Sequence, residues 1–550
     1  MRAIYISALA VSFLLLTSTC HNDNTTDSSS GKETHSRVWI ADNGDGTYKN
    51  PILYADYSDP DVIRVGDDFY MTASSFTCVP GLPVLHSRDL VNWQIIGHAL
   101  KVQGPQDVFD KPQQGKGVWA PCIRYRNGEF YIFYPDPDFG IYMVKAEDPA
   151  GPWSEPEMVK RGKGLIDPSP LWDDDGRAYL VHAYAGSRAG IKSLLVVNRM
   201  NKKGTKVIDD GVVVFDGHNS HPTIEGPKFY KRNGYYYIFA PGGGVKTGWQ
   251  VVLRSKNIYG PYEDRIVLAQ GKSQVNGPHQ GAWVELRNNE SWFIHFQDKG
   301  PWGRVVHLQP MQWKDNWPVI GVDEDGDGTG EPVLQHKKPY VGHAWPITTP
   351  QESDEFNASS PGLQWQWNAN PELYWTVSFP GKGILRLYSV PLPDTFVNFY
   401  YDVPNTLLQK FPAPAFTATA KITFNPRFEG EKAGLIIMGR DYSYLGVKKD
   451  GESFIIEQTV CKDADKKAPE ITVTGHYTAG SPDLYLRVTV NNEAICEFSY
   501  SENNEHFYAV GHPFKAREGG WIGAKMGLFM VREGRTNDAG NIDVDWFRVE

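Results

Sequence analysis

Short runs of alternating apolar and polar residues, separated by turn residues, recur from about residue 48 to the end of the chain and predict β-strands. Five segments share one pattern, which is a polar or Pro-flanked start, an apolar run, a turn and an aromatic strand. They begin at Asp59, Ala120, Asp167, Glu225 and His279. Self-similarity at such intervals is typical of repeat architectures.

The first four segments carry a two-residue turn after the apolar run, and such pairs favour β-hairpins. These turns are Gly66-Asp67, Asn127-Gly128, Asp175-Gly176 and Asn233-Gly234. A second pair of strand-like runs follows each segment, so each unit contains four strands. Five units of four strands each predict a five-bladed β-propeller over residues 48–335. An irregular β-sandwich is the alternative, and the repeat in register disfavours it.

A second domain is predicted after the propeller. Residues 336–352 form a linker rich in Pro and polar residues, and strand-like runs without the repeat follow over residues 353–550. Their alternation and turn spacing predict a β-sandwich. The predicted fold class is therefore all-β, and the length of 550 residues also suggests two domains.

Composition narrows the class of ligand. Aromatic residues make up 13% of the chain, including 17 Trp and 28 Tyr, which suits a carbohydrate site lined by rings. The formal net charge of −10 argues against nucleic acid as a partner, whereas a neutral sugar polymer is indifferent to it.

The first 20 residues have the pattern of an export signal, because a positively charged start precedes an apolar stretch (residues 4–16) that is too short to span a bilayer. Cys20 follows, and residues 21–47, which open on a polar run, are predicted as a tether. This pattern resembles a bacterial lipoprotein signal in which Cys20 is lipidated, so a membrane is an expected partner. Thr17 and Thr19 depart from that pattern, and an ordinary cleaved signal peptide is the alternative.

The other cysteines fall two per domain, and none has the close spacing of a zinc site. They are Cys78, Cys122, Cys461 and Cys496. A disulfide between Cys461 and Cys496 is one alternative in an oxidising compartment, and buried free thiols are the favoured one.

Three repeats carry an acid where their first strand begins: Asp59 in SDPD, Asp167 in IDPS and Glu225 in IEGP. The innermost strand of every blade lines the axial channel, so these acids should converge around one mouth of it. Like charges that lie close together push the pKa values of their carboxyl groups apart, so that one group can act as an acid and another as a base. Glycosidic cleavage requires such a pair. A simple turn-forming role is the alternative for each Asp-Pro, and three acids in register disfavour it.

The acidic run from Asp323 to Gly328 imitates the start of a calcium loop. A twelve-residue calcium loop that began at Asp323 would end at Leu334 rather than at the bidentate Glu of such loops. We therefore predict a solvated turn and no metal site.

Several strings resemble glycoside hydrolase family 43, in its branch of β-xylosidases and α-L-arabinofuranosidases. They include YADYSDPDVIRVGDDFYM, GVWAPCIRY, LIDPSPLWDDDGRAYL, TIEGPKFY and NGPHQGAWVEL, and the resemblance covers nearly all of residues 48–550. It implies that Asp59 is the general base, that Glu225 is the general acid, and that Asp167 keeps the acid protonated and oriented. These enzymes invert configuration, so the base and the acid should lie about 6.5–9.5 Å apart.

The resemblance implies further roles around the pocket. Arg304 would bind the sugar, Trp119 and Phe76 would form apolar walls for a pentose ring, and His279 would lie near the channel centre. Some members hold a calcium ion there through water, although no cofactor is required, and a hydrogen-bonded structural histidine is the alternative. Cys122 departs from the family pattern, because an acid often follows VWAP.

In this branch a concanavalin-like sandwich follows the propeller and presses a loop against the channel mouth, which favours exo action. The resemblance therefore implies removal of terminal α-L-arabinofuranosyl residues from hemicellulose side chains, with β-xylosidase action on xylo-oligosaccharides as the alternative. The substrate would be a plant cell-wall oligosaccharide. The enzyme would be anchored on the periplasmic side of the outer membrane or on the cell surface.

Two other functions are disfavoured. A polysaccharide-binding lipoprotein without turnover would be expected to lack one of the three acids. The propellers that cleave sucrose and fructans have motifs that these strings do not match.

Overall fold

The structure, a computed structural model, describes residues 35–473 and 477–550. These residues are almost entirely strands and turns, so the all-β prediction is confirmed. The predicted signal and Cys20 lie outside the described residues.

The first domain is a five-bladed β-propeller, as predicted. A short strand, β1 (Thr47–Lys49), precedes the blades. Each blade is a four-stranded antiparallel sheet in simple chain order. The strands of blade 1 are β2 (Asp61–Val65), β3 (Asp68–Thr72), β4 (Gly81–Ser87) and β5 (Trp93–Leu100); those of blade 2 are β6 (Cys122–Arg126), β7 (Glu129–Asp136), β8 (Gly140–Ala146) and β9 (Glu157–Arg161); those of blade 3 are β10 (Leu165–Trp172), β11 (Ala178–Tyr184), β12 (Leu194–Met200) and β13 (Val212–Asp216); those of blade 4 are β14 (Lys228–Arg232), β15 (Tyr235–Gly242), β16 (Trp249–Ser255) and β17 (Glu263–Leu268); those of blade 5 are β18 (His279–Glu285), β19 (Ser291–Asp298), β20 (Arg304–Lys314) and β21 (Trp317–Ile320).

The predicted hairpin turns join the first two strands of their blades. Asn127 and Gly128 have φ angles of 52° and 86°, and Asn233 and Gly234 have φ angles of 49° and 75°. Two consecutive left-handed residues are what the tight type I′ turn requires, and Asn and Gly tolerate that conformation best.

The ring of blades is closed by the segment that precedes blade 1. Strand β18 lies against β2, so the first strands of blades 5 and 1 are neighbours. Leu53 pairs with Val306 of β20 through two backbone hydrogen bonds of 3.1 and 3.3 Å. Strand β1 pairs with β22 (Gln335–Lys337), which follows blade 5. Both ends of the propeller segment therefore meet at blade 5.

The end of the predicted tether is folded onto the propeller. The indole N–H of Trp39 donates to the carbonyl of Pro51 at 3.1 Å, and Ala41 is buried. The carboxylate of Asp42 is buried between Lys338 and Asn92, which donate to it. Packing includes Ser36, which is buried and whose backbone N–H donates to the hydroxyl of Thr349 at 2.5 Å.

The second domain is a β-sandwich, as predicted. Within the described residues one sheet has nine strands, which are β23 (Gln366–Trp367), β26 (Val390–Pro391), β27 (Leu407–Lys410), β29 (Lys432–Met438), β30 (Tyr442–Asp450), β31 (Ser453–Cys461), β32 (Ile471–Thr472), β33 (Tyr477–Ala479) and β37 (Lys525–Arg532). The other has seven, which are β24 (Thr376–Phe379), β25 (Ile384–Tyr388), β28 (Phe416–Asn425), β34 (Asp483–Val490), β35 (Ile495–Ser501), β36 (Tyr508–Lys515) and β38 (Asn541–Val549). Alternate residues of β34 are buried, so one face of this sheet packs on the core between the sheets.

Helical structure is confined to single turns in the described ranges. The α-helical turns are α1 (Gln106–Phe109), α2 (Gly186–Ala189) and α3 (Phe399–Asp402), and the 3₁₀ turns span Gly300–Trp302, Leu373–Trp375, Pro380–Lys382 and Ala464–Lys466. Among the described residues, no helix has the length and apolar character needed to cross a bilayer.

The four cysteines of the described residues are free and buried. Cys461 belongs to the nine-stranded sheet and Cys496 to the seven-stranded sheet, and they lie in different apolar clusters. The favoured prediction of buried thiols is confirmed, and the alternative disulfide is not formed.

The sandwich is fixed to the propeller by a loop that precedes β37. The backbone N–H of Gly523 donates to Oδ2 of Asp56 at 2.9 Å, and that of Ala524 donates to the carbonyl of Pro301 at 2.7 Å. Nearby, Nζ of Lys525 lies 2.8 Å from Sγ of Cys78 in a buried contact. This loop is therefore held against the face of the propeller where the first strands begin.

Candidate active site

The predicted acids lie where the first strands of their blades begin, at one end of the channel, which we call the acid mouth. Asp59 lies two residues before β2, Asp167 lies near the start of β10, and Glu225 lies three residues before β14. His279 is the first residue of β18. Since the first strands lie side by side around the axis, these side chains surround one opening.

The backbone shows which residues are equivalent in the repeat. Asp59, Asp167, Gly226 and Gln280 have φ angles of 55°, 56°, 61° and 38°, a left-handed conformation that few side chains adopt. Gly226, rather than Glu225, therefore occupies the position of the two aspartates. Glu225 precedes that position by one residue, which corrects the predicted register.

Asp59 is a buried carboxylate surrounded by donors. The hydroxyl of Ser74 donates to Oδ2 at 2.6 Å, and that of Ser58 donates at 3.1 Å. The guanidinium of Arg304 lies 3.2 Å from Oδ1 and 3.3 Å from Oδ2. These donors suit a charged carboxylate that can accept a proton, and buried charges are tolerated only when paired in this way.

Asp167 and Glu225 lie in a different environment. Asp167 is buried, and its pKa is raised to about 7, first by burial and then by the neighbouring charge of Glu225. The backbone N–H of Gly226 donates to Oδ2 of Asp167 at 2.7 Å and partly opposes this shift in pKa. The side chain of Glu225 is 25% exposed, and Oε1 lies 3.1 Å from Nε2 of His279. Glu225 is thus the member of the pair that faces the opening.

Phe76 and Trp119 pack against each other beside the acid mouth, and their role as walls for a sugar ring stays a prediction. Their ring centroids lie 6.4 Å apart in an edge-on arrangement, and the indole N–H of Trp119 donates to the carbonyl of Gly115 at 3.0 Å. The guanidinium of Arg304 stacks on the ring of Phe296 at 4.8 Å. The predicted residues therefore form two groups, one around Asp59 and Arg304 and one around Glu225 and His279, beside an aromatic wall.

Trp521 of the sandwich also reaches this wall, and the sequence did not identify it. Its ring lies 6.0 Å from that of Trp119, and the guanidinium of Arg304 lies 5.7 Å from its centroid. It is 50% exposed, so one part of the ring faces solvent at the mouth. The expected loop of the second domain is present, but nothing in the repeat pattern marks Trp521, which lies outside it.

A second layer of polar residues lies two positions further along the first strands. Oδ2 of Asp61 accepts from the guanidinium of Arg124 and from the N–H of Ile123, each at 2.7 Å. The hydroxyl of Ser169 accepts from Arg124 at 3.0 Å and contacts the thiol of Cys122 at 3.4 Å. Cys122 therefore belongs to a hydrogen-bonded network beneath the acids, in which Arg124 of blade 2 links Asp61 of blade 1 to Ser169 of blade 3.

The surroundings of His279 offer little to a directly bound metal. Nδ1 of His279 is buried without a hydrogen-bond partner among the described residues, so one ring nitrogen is free. The one cluster of potential ligands that the described residues contain is Asp323, Asp325 and Asp327, in an exposed turn. A calcium ion held near His279 through water stays a prediction.

Comparison with known proteins agrees with this geometry. The model for glycosyl hydrolases family 43 matches residues 48–318, and that for the beta xylosidase C-terminal concanavalin A-like domain matches residues 353–550. A putative beta-xylosidase of Xylanibacter ruminicola is 41% identical over 90% of this chain and 88% of its own length. The chain belongs to glycosyl hydrolase family 43. It is a glycosidase, and its second domain is the concanavalin-like sandwich.

Other family 43 proteins resemble this chain over most of its length. A beta-xylosidase of Formosa agariphila is 36% identical, covering 92% of this chain and 91% of its own. The non-reducing end alpha-L-arabinofuranosidase BoGH43B of Bacteroides ovatus is 31% identical, and the match covers 91% of this chain and 94% of its own length. Among solved structures, the GH43 protein BlXynB of Bacillus licheniformis superposes with a TM-score of 0.77 at 26% identity. The superposition covers 92% of this chain and 99% of that protein.

The raised pKa of Asp167 predicts a pH dependence of stability in this family 43 glycosidase. Between about pH 4, the usual pKa of an unfolded Asp, and pH 7, the folded protein holds a proton that the unfolded chain has lost, so stability falls as the pH rises. Asp167→Asn removes this penalty. We expect the variant to raise the thermal midpoint at pH 8 and to change it little at pH 4.

The matched control is Asp107→Asn, since Asp107 is exposed in α1. Its midpoint should follow wild type at both pH values. An equal change in the midpoint of Asp167→Asn at pH 4 and pH 8 would show that the carboxyl of Asp167 does not titrate in this window.

Proposed function

We propose that this family 43 glycosidase is exo-acting and inverting, and that it releases single pentose residues from the non-reducing ends of hemicellulose oligosaccharides. The observation that carries the proposal is the contrast between two carboxylates at the acid mouth. Asp59 is buried against Arg304, whereas Glu225 faces the opening beside Asp167 and His279. Two carboxylates in different environments are what separates a base from an acid.

In the proposed reaction, Asp59 accepts a proton from a water molecule as that water attacks the anomeric carbon. Glu225 donates a proton to the glycosidic oxygen as its bond to the anomeric carbon breaks. The proton gained by Asp59 balances the one lost by Glu225, and both exchange with solvent afterwards. The pKa of Asp167 is raised to about 7, first by burial and then by the charge of Glu225, so this carboxyl keeps a proton beside Glu225 up to about neutral pH.

The proposed exo action rests on the aromatic wall. Phe76 and Trp119 of the propeller and Trp521 of the sandwich crowd one side of the mouth with ring separations of 6.0 and 6.4 Å. A wall built from both domains favours a terminal sugar over the interior of a long chain.

The proposed sugar is β-D-xylose, with α-L-arabinofuranose as the second candidate. The two relatives with 41% and 36% identity are named as beta-xylosidases, and the one with 31% is named as an arabinofuranosidase. This order reverses the preference drawn from the sequence. The test is kcat/KM on the nitrophenyl derivatives of the two sugars.

We expect the β-D-xylopyranoside to be cleaved with a kcat/KM higher by about tenfold or more, since a pocket shaped to one ring discriminates on that scale. A higher value on the α-L-arabinofuranoside would favour the second candidate. Turnover of neither glycoside would contradict a pentose-releasing function.

Asp59→Asn should lower kcat by about 10²–10⁴-fold, because the amide cannot accept the proton of the attacking water. The amide oxygen can still accept hydrogen bonds from Ser74 and Arg304, so circular dichroism should show a folded protein. Asp107→Asn again serves as the exposed control and should retain wild-type kcat. More than about a hundredth of wild-type kcat in Asp59→Asn would remove Asp59 from the role of base.

Glu225→Gln should affect substrates in proportion to the basicity of the leaving group. A xylo-oligosaccharide needs a proton on its departing oxygen, whereas a dinitrophenolate leaves without one. We therefore expect kcat/KM to fall much more on the oligosaccharide than on the dinitrophenyl glycoside. Equal losses on both substrates would exclude Glu225 as the general acid.

A further inference from the structure

A groove of about 620 Å³ runs between the two domains, beside the acid mouth. Gly115, Lys116 and Arg188 line it from the propeller, and Arg440 and Trp521 line it from the sandwich. Its volume is in the range of sites that hold small ligands.

The groove is continuous with the catalytic pocket through shared residues. The carbonyl of Gly115 accepts the indole N–H of Trp119 at 3.0 Å, and Trp521 lies 6.0 Å from Trp119. The guanidinium of Arg188 lies 5.2 Å from the ring centroid of Trp119. A ligand that extends from the acid mouth past Trp521 therefore enters this groove.

The groove carries an excess of positive charge on a negatively charged protein. Its lining includes five cations and two carboxylates, whereas the whole chain has a formal net charge of −10. The cations are Lys111, Lys116, Arg188, Arg440 and Lys467, and the carboxylates are Asp402 and Asp465.

Two of the cations are engaged by carboxylates. Arg188 lies 3.3 Å from Asp138, and Arg440 lies 3.8 Å from Asp465 and 4.0 Å from Glu518. The other carboxylate of the lining, Asp402, accepts the backbone N–H groups of residues 397 and 398.

The three lysines are available to a ligand. Within residues 35–473 and 477–550, none of Lys111, Lys116 and Lys467 forms an ion pair, and all three are exposed. Nζ of Lys116 donates to the amide oxygen of Gln113 at 3.1 Å, and Nζ of Lys467 lies 5.7 Å from the ring centroid of Tyr401. Amide groups and an aromatic ring beside lysines suit a sugar that carries a carboxylate.

We propose that this groove binds the leaving-group part of the substrate and prefers a uronic acid branch on it, which makes acidic hemicellulose oligosaccharides the favoured substrate class. The proposal rests on the proposed function, because it assumes that a glycosidic bond is cleaved at the acid mouth. The carboxylate of the branch would lie among Lys111, Lys116 and Lys467. The sugar removed at the acid mouth would itself be neutral.

The test compares two synthetic xylo-oligosaccharides that differ only in a glucuronosyl branch on the sugar next to the scissile bond. The quantity measured is the ratio of kcat/KM on the acidic substrate to that on the neutral one. Since both values come from one protein preparation, the ratio cancels any loss of folded enzyme. We expect a ratio above one at low salt and a ratio close to one at about 0.5 M salt, where the screening length is only a few ångströms.

Lysine variants locate the effect. Lys111→Gln and Lys467→Gln should each lower the low-salt ratio by about 2- to 5-fold, the range for partly exposed ion pairs, and the double variant should lower it further. The matched control is Lys337→Gln, because Lys337 is an exposed lysine of β22 that does not line the groove. Its ratio should equal that of wild type.

The outcomes separate the two proposals. A ratio of one or less at low salt, or a low-salt ratio in the double variant that equals that of wild type, overturns the assignment of the groove while leaving the pentose-releasing function intact. Failure of wild type to release a pentose from the nitrophenyl glycosides or from either oligosaccharide overturns the proposed function itself.

Discussion

The buried carboxylate of Asp56 joins three parts of the chain that are far apart in sequence. Its Oδ1 accepts the N–H of Arg304 at 3.0 Å, and its Oδ2 accepts that of Gly523 at 2.9 Å. A Cβ at Gly303 would lie 2.5 Å from Cγ of Asp56, and one at Gly523 would lie 2.7 Å from the nitrogen of Gly303, so only glycine permits this approach. The placement of Arg304 beside Asp59 and of the sandwich loop at the mouth both depend on this contact.

The carboxylates of Asp59 and Asp167 differ because the two sides of the acid mouth offer them different numbers of hydrogen-bond donors. Four hydrogen-bond contacts reach Asp59 from two hydroxyls and one guanidinium, all of which favour its charge. Asp167 receives one backbone N–H and lies beside another acid, so burial raises its pKa. The difference therefore originates in how close the cation lies: Arg304 of blade 5 contacts the carboxylate of Asp59 directly, whereas the buried Lys228 of blade 4 donates to the carbonyl of Pro121 and opposes the raised pKa of Asp167 only through its charge.

The repeat in the sequence was sufficient to predict the propeller, because each blade is a local unit whose turn residues and alternation are visible in one segment. It also predicted that Asp59, Asp167 and Glu225 converge. It placed Glu225 one residue off, because the acids alone do not mark the equivalent position. The Pro that follows Asp59, Asp167 and Gly226 marks it, and these three residues share the left-handed backbone. Trp521 could not be found in this way, since its contact with Trp119 joins two domains and depends on tertiary packing alone.

The charge of the whole protein and that of the groove act over different distances. At physiological ionic strength the screening length is about 8 Å, so most of the charges that sum to −10 are not felt by a group inside the groove. A long polyanion would extend beyond the groove onto the rest of the protein, which carries the negative net charge and would repel it. One carboxylate on a short branch meets only the nearby lysines. The net charge that argues against nucleic acid is therefore compatible with a local preference for an acidic sugar.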